Sequence, residues 1–430
     1  MGGGLAVLSL TRPTILALAL SVIVLALLAP ALGGDYLWDD LALVKNNPLV
    51  HGFIHWTQWF SRSLFATRLE DHAQSSGAQY FRPIVLLSFA LDNAWSGNNP
   101  AIAHATNLFL YAGVVVVSFF TLIRWHSLTY GALVAAAWFA LHPTHVESSA
   151  WISGRTDLFA LLGILIASFG VARRIGLRNQ SYLTFEILGT VLAYGSKENA
   201  IVLPAFYAIE VWMVLGRPVL RVSTFREIGK KVLPQIIVAC TYLTLRIRFL
   251  PFFTDEIANA PPIPFFSHLQ MFLETCGRGA MLTLFPWPLR GQHGLISVSA
   301  GGLLELNLGY VVLGALTVLA LTTAIVVLFK RRPAIAIALL AFAFCFAPVS
   351  NLLPSRLQCL FFERYLVIPH LFAAWVLAIL VDRAFDFFRK HRQTTVAAIL
   401  TGIGLVSFAW VTRERALDYS DAERFWTHEL

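Results

Sequence analysis

The sequence predicts an all-α polytopic membrane protein, and three observations carry that reading. Of the 430 residues 57% are hydrophobic and only 13% charged, with a mean hydropathy of +0.68, whereas a water-soluble chain of this size exposes far more charge. The apolar residues fall in runs of about 17 to 22, which at about 1.5 Å per helical residue match a hydrocarbon core. The charged residues collect in the connections between runs. A net charge of +8 on one patch would suggest nucleic acid, but the basic residues are spread over these short connections, so no nucleic-acid partner is expected.

Eleven runs qualify, near 14–33, 103–123, 128–141, 156–172, 182–195, 200–215, 232–250, 308–329, 334–350, 365–381 and 394–412. The first is read as a retained helix, because it lacks a small-residue cleavage site and many spans follow it. With a cytoplasmic amino terminus the inner connections include Arg12, Arg124, "ARRIGLR", "GRPVLRVSTFREIGKK", "KRRP" and "DRAFDFFRKHRQ". Together with Glu186 they hold 17 basic and 4 acidic residues, leaving 15 basic and 20 acidic for the rest of the chain. The positive-inside rule selects this orientation. Segment 265–290 is apolar but carries Glu274 and Arg278; a full span there would place "KRRP" outside, so a re-entrant or interfacial segment on the outer face is expected. Cys240, Cys276, Cys345 and Cys359 have neither CxxC nor metal spacing and read as packing residues.

Four outer connections carry the chemistry. The first, within 34–102, contains "DYLWDDLALVKNNPLV" and is too long for a simple link. Its "FIHWTQWFSRSLF" suits an amphipathic helix in the interface. The second, "FALHPTHVESSAWISGRTDLFA", gathers His142, His145, Glu147, Arg155 and Asp157. The third, "YGSKENAIVLP", adds Lys197 and Glu198, and the fourth, "NLLPSRLQCLFFERYLVIP", adds Glu363, Arg364 and Tyr365. Ionisable groups at a bilayer boundary pair, line a wet cavity or act on a substrate. A structural reading stands beside each functional one. Asp39 and Asp40 suit a cap on "DDLALVKN", and Lys197 with Glu198, or Glu363 with Arg364, suit ion pairs. His142, His145 and Glu147 are metal-ligand types, but "HPTH" is too short and Pro-broken for a helical HExxH pair; no cofactor is expected, with a divalent ion as the alternative. Together, carboxylates able to take a proton from a hydroxyl and cations able to hold a phosphate suit a donor with a lipid tail and a phosphate head.

The segments "WDDLALVKNNPLV", "YFRPIVLLSFALDNAWSGNNPAIAHATNLFLYA", "ALHPTHVESSAWISGRTDL", "GSKENAIVLPAFYAIEVW", "NLLPS" and "ERYLVIP" resemble, in order, the family of transmembrane and tetratricopeptide-repeat proteins that act as protein O-mannosyltransferases, within the GT-C glycosyltransferase superfamily. The resemblance covers most of residues 34–370. It implies a GT-C type fold over 1–412, with about eleven transmembrane helices, 34–102 as the first periplasmic loop, and 413–430 as a periplasmic tail. That tail, ending "ERFWTHEL", resembles the entry to a repeat array that is missing here, and "SRLQCLFFERY" departs from the usual glycine-containing connection. By position, Asp39 matches the leading carboxylate that serves as base, and Asp40 its neighbour. Arg82, Arg155, Lys197 and Arg364 are the candidates for the donor's phosphate and sugar, with His142, His145, Glu147, Asp157, Glu198, Glu363 and Tyr365 in support.

The function so implied is inverting transfer of a sugar, mannose favoured, from a polyprenyl-phosphate donor to a protein Ser/Thr hydroxyl at the outer face of a bacterial inner membrane. The alternative is transfer to a lipid or cell-envelope glycan. A transporter or flippase is disfavoured, because the ionisable groups cluster at one surface and no internal duplication is visible. The orientation is testable: Ser75→Cys is expected to react with a membrane-impermeant thiol reagent in intact spheroplasts and Ser223→Cys is not, whereas the reverse pattern would invert the topology.

Overall fold

The structure, a computed structural model, describes residues 11–65, 80–215, 222–250, 264–295, 307–352 and 359–429; Ser75 and residues 353–358 of the fourth outer connection lie outside the described residues. All eleven apolar runs are helical. Seven are long and apolar enough to cross a membrane: α1 (Arg12–Leu28) with the turn that continues it to Gly33, α3 (Pro100–His126), α6 (Arg155–Gly176), α9 (Val222–Phe249), α11 (Leu308–Arg331), α13 (Val367–Lys390) and α14 (Thr394–Asp418). The other four are shorter: α4 (Tyr130–Ala140), α7 (Leu183–Tyr194), α8 (Leu203–Leu215) and α12 (Pro333–Phe346). Two of these are extended by 3₁₀ turns, Glu198–Val202 before α8 and Ala347–Val349 after α12. The chain is an all-α polytopic membrane protein, and the expectation of about eleven spans becomes, by length and composition, seven long helices and four short ones. Proline opens α3 and α12 at the first helical position, where its missing N–H has no partner to lose.

The core lies between α3, α4, α6, α8 and α13, where Tyr111, Phe139, Leu161, Tyr207 and Phe372 are fully buried. Without a hydrophobic drive in lipid, helices associate by close approach, and small residues permit it. At the α6–α7 crossing a Cβ on Gly163 would lie 2.6 Å from the Gly189 carbonyl. At the end where Arg124 and Arg174 sit, buried carboxylates meet the basic residues: Arg174 binds Glu186 and Arg124 binds Glu210.

The first outer segment folds as a cap with its own apolar core, built from Tyr36, Leu43, Leu49, Trp59, Leu64 and Phe89, joined by Ile152. It contains α2 (Pro83–Ser96), which leaves Leu91 and Trp95 exposed. The amphipathic helix expected over 53–65 is not formed. Only a 3₁₀ turn, Trp56–Phe60, is present there, because the Trp59 indole turns inward to donate to the Leu49 carbonyl (2.8 Å) and anchors the loop. Ile54 and Trp56 remain exposed.

Segment 265–290 forms a continuous 20-residue helix, α10 (Phe265–Leu284), antiparallel to α11, with Thr283 in its last turn beside His142 and His370. Beyond it β1 (His293–Leu295) pairs antiparallel with β2 (Cys359–Phe361). Residues 413–429 are docked: after α14 the chain turns into α15 (Ala422–Glu429), where Phe425 is buried and Glu429 binds Arg415. The α10–α11 contact depends on two glycines, since a Cβ on Gly314 would overlap the Leu273 carbonyl and one on Gly277 the Tyr310 carbonyl. Gly314→Val is therefore expected to cost about 1–3 kcal/mol through overpacking. Thermal unfolding in detergent reads this as a lowered Tm, and an unchanged Tm would contradict the packing described.

Candidate functional site

A cavity of about 250 Å³ opens where the four outer connections converge. Asp39, Arg82, Lys197, Glu198, Arg364 and Tyr365 line it, with Tyr80, Trp151, Ser153, Asn351 and Phe362.

The acidic end is set by backbone geometry around Trp38, which sits in the left-handed region at φ 51°. A bulky residue tolerates that conformation only when its surroundings hold it, and the Trp38 ring is held by stacking on Trp151 at 5.4 Å. The turn sends the next two carboxylates in opposite directions. Asp40 is fully buried, accepting from Leu37 N (3.2 Å), Ser153 N (2.9 Å) and the Ser153 hydroxyl. Burial pushes its pKa up to about 7 despite those bonds. Asp39 faces the cavity, and its carboxylate has no hydrogen-bond partner among the described residues. Burial also raises the Asp39 pKa above the ordinary carboxylate range, and Arg364 opposes the rise. The capping role does not hold: Leu41–Lys45 is a single π turn with no side-chain cap.

Among the described residues three cations line the cavity, each bonded to a carboxylate on another segment. Arg82 binds Glu198 through Nε (2.9 Å) and Nη2 (2.7 Å) and lies over Tyr80 at 4.3 Å. Lys197 binds Asp157 at 2.5 Å, with Tyr365 at 5.0 Å. Arg364 binds Glu147 and lies over Phe362 at 3.9 Å and Trp151 at 4.9 Å. Burial lowers the Lys197 pKa to about 8; Asp157 counters that, and the neighbouring Arg364 and Arg82 add to it. Desolvated guanidinium groups over aromatic faces keep fixed orientations, which suits recognition of a phosphate.

Both ion pairs expected between sequence neighbours are replaced. Lys197 pairs with Asp157 and not Glu198, and Arg364 with Glu147 and not Glu363, because adjacent side chains on a helical turn diverge. Glu363 is buried behind the wall, where it meets His293 (3.2 Å), Arg415 (3.6 Å) and the Arg290 N–H. Arg155, expected at the donor's phosphate, is fully buried away from the cavity. It binds Asp92 (2.6 Å) and the Ala103 carbonyl (2.9 Å), so it ties α6 to α2 and α3. His142 and His145 are also buried off the cavity and pack with His370, while Glu147, on the short α5 (Val146–Ala150), turns to Arg364.

Sequence reasoning missed Tyr80, Trp151, Phe362 and Asn351. Tyr80 and Phe362 signal themselves as aromatics beside cavity cations in "YFRP" and "FFER", whereas Trp151 stands near only the structural Arg155 in "SAWISGR". Asn351, at φ 58°, donates to Thr275 Oγ1 (2.8 Å) and the Leu360 carbonyl (2.9 Å), and this gives "NLLPS" its place in the wall.

Fold and site thus define a polytopic membrane protein with an acid facing anchored cations at one surface. No family model matches the chain. It is similar to protein O-mannosyl-transferase TMTC2 of Mus musculus, 32% identical over 196 residues, which are 44% of this chain and 23% of the relative. It is also similar to protein O-mannosyl-transferase TMTC1 of Mus musculus (33% over 148 residues, 34% of this chain and 15% of the relative). Protein O-mannosyl-transferase TMTC4 of Homo sapiens is 25% identical over 205 residues, 43% of this chain and 27% of the relative. The match spans between 15% and 27% of these relatives' length. They carry the family name that the outer-loop motifs resemble.

Because Arg155 is structural, Arg155→Met is expected to strand Asp92 and cost about 3–5 kcal/mol, the usual effect of breaking a buried pair. The check is a reduced Tm in detergent. A variant as stable as the parent but weakened in phosphate binding would return Arg155 to the site.

Proposed function

We propose that this chain is an inverting glycosyltransferase that moves a sugar, mannose by preference, from a polyprenyl-phosphate carrier to a protein hydroxyl at the outer face of the membrane. The observation that carries the reading is Asp39: a raised-pKa carboxylate without a bonding partner among the described residues, sharing one cavity with three anchored cations. The positive-inside bias of the connections supports the outer face, and the relatives' names support mannose and a protein acceptor.

In this mechanism the Asp39 carboxylate takes the proton of the acceptor hydroxyl. The freed oxygen attacks the anomeric carbon opposite the phosphate, and the bond from that carbon to the phosphate oxygen breaks. The polyprenyl phosphate leaves with one more negative charge, which Arg82, Lys197 and Arg364 stabilise in a partly dry cavity where such contacts are strong. One displacement inverts the centre, and Asp39 later returns its proton to water. Of the two carboxylates that line the cavity among the described residues, Glu198 is bonded to Arg82 by two contacts, which leaves Asp39 for the base. Asp40 positions it through Ser153.

Asp39→Asn keeps shape but cannot take the proton, so turnover of the lipid donor is expected to fall about 100-fold to 10,000-fold with extraction yield and Tm unchanged. Parental turnover would remove Asp39 from the mechanism. Arg364→Ala is expected to weaken donor binding more than Arg331→Ala, and equal affinities would confine Arg364 to its pair with Glu147. The pH profile of kcat/KM follows from the two shifted groups. On the acid side rate is lost as pH falls through the raised Asp39 pKa, and on the alkaline side it is lost as Lys197 discharges above about pH 8. A flat profile from pH 7 to pH 10 would exclude Lys197 from donor binding.

A further inference from the structure

Behind the cavity wall three histidines meet with no carboxylate bonded to any of them among the described residues. His142 and His145 bracket the Pro143–His145 turn after α4, and His370 lies in the first turn of α13. All are essentially inaccessible to water, and one ring nitrogen from each lies within 4.8 Å of the others. His145 Nε2 is 3.0 Å from His370 Nδ1, and the His142 and His370 rings are 4.2 Å apart between centroids.

The hydroxyls around the cluster accommodate one tautomer that leaves nitrogens free to ligate. The Tyr111 hydroxyl donates to the Ala140 carbonyl (3.0 Å), and the Thr283 hydroxyl to the Gly279 carbonyl (2.7 Å). With those protons given to the carbonyls, each of these oxygens faces its histidine as an acceptor. His145 Nδ1 therefore donates to Tyr111 Oη (3.0 Å), and His370 Nε2 to Thr283 Oγ1 (3.0 Å). Each neutral ring has then spent its only proton outward. In that tautomer His145 Nε2 and His370 Nδ1 face each other as bare lone pairs, the arrangement that ligates a cation. A proton there would make an imidazolium in a buried pocket that lacks a bonded carboxylate, which burial opposes.

His142 departs from that pattern: its Nδ1 accepts from the Thr144 backbone N–H (3.4 Å), which places the ring proton on Nε2 until an ion displaces it. Its Nδ1 is 2.8 Å from the Thr144 hydroxyl, while Nε2 has only a long 3.4 Å approach to the Thr283 carbonyl. All three rings thus have a hydroxyl on the side away from the cluster, at Tyr111, Thr283 and Thr144. Metal-bound histidines use their second nitrogen in this way, which fixes the tautomer and the ring plane. The spacing is near what an ion needs: zinc–nitrogen bonds of about 2.0–2.1 Å place ligand atoms about 3.4 Å apart in a tetrahedron, so the widest separation closes with side-chain shifts of about 1 Å.

We propose that His142, His145 and His370 form a structural binding site for a late first-row divalent ion, zinc being the one most at ease with imidazole ligands. The ion would join the turn after α4 to the start of α13. Those segments also carry Glu147 and Arg364, so the site would fix the best-anchored cavity cation from behind. The expected ligand set differs from the one read in the sequence: Glu147 is turned away and His370 takes its place.

The test uses the full chain purified without a polyhistidine tag, with elemental analysis for metal content and thermal unfolding in detergent. Stoichiometric zinc is expected, together with a Tm that falls after stripping by a strong chelator and returns when zinc alone is added. His370→Ala and His142→Gln should each lose the metal. If those variants fail to fold, cobalt(II) uptake by the stripped parental protein decides instead, with tetrahedral visible absorption expected. A parental protein that contains no metal, takes up neither ion and keeps its Tm would overturn the proposal and leave a hydrogen-bonded cluster. Zinc retained at parental level by both histidine variants would overturn it equally.

Discussion

Holding three cations in a half-dry cavity at a membrane surface is the constraint on which the rest of the site depends. Taking an ion out of water costs several kcal/mol even after relaxation, and here each cation is bonded to a carboxylate. Arg82 has Glu198, Lys197 has Asp157 and Arg364 has Glu147. None of these pairs lies within one segment. Each spans two outer connections, so the charges fix the relative positions of the helix ends as well as the cavity wall. Asp39 is the group left over, and its raised pKa follows from being buried beside that wall without a bonding partner among the described residues.

The same arrangement explains the division of labour between the adjacent aspartates. Asp40 ties the first outer segment to the turn at Ser153, and three donors occupy its oxygens. Trp38, stacked on Trp151, holds the reversed backbone that keeps Asp39 outward. Trp151 also lies under Arg364, so one indole connects the acid-bearing turn to the cation opposite. Glu363 links the following layer, through Arg415, to Glu429 in α15. The carboxyl-terminal helix is therefore connected by two charge pairs to Glu363, the chain neighbour of Arg364.

Much of this was legible in the sequence. Every apolar run became a helix, since length and hydropathy decide that in lipid. Asp39, Arg82, Lys197 and Arg364 were readable as outer-face ionisable groups, and all four line the cavity. Pairing was not legible. Lys197 with Glu198 and Glu363 with Arg364 looked like pairs because they are adjacent in the chain, yet adjacent side chains diverge and the true partners lie up to 217 residues away. Arg155 looked like its neighbours in the sequence, and only the fold shows Asp92 waiting for it. His370 gave no signal, as a lone histidine in "LVIPH" reads as a core residue until the fold sets it against "HPTH". The aromatic stretch at 53–65 carried an interfacial composition but no helical period strong enough to outweigh the anchoring of Trp59.

The central claim is that lipid-linked phosphate and proton acceptor meet across this one cavity. The most direct measurement is a cryo-electron-microscopy structure of the protein with a short-chain polyprenyl-phosphate sugar bound. The account predicts the phosphate among Arg82, Lys197 and Arg364, with the anomeric carbon between it and the Asp39 carboxylate and the Glu147–Arg364 pair retained. A phosphate seated elsewhere, or an Asp39 carboxylate closed onto one of the three cations with the donor present, would contradict it.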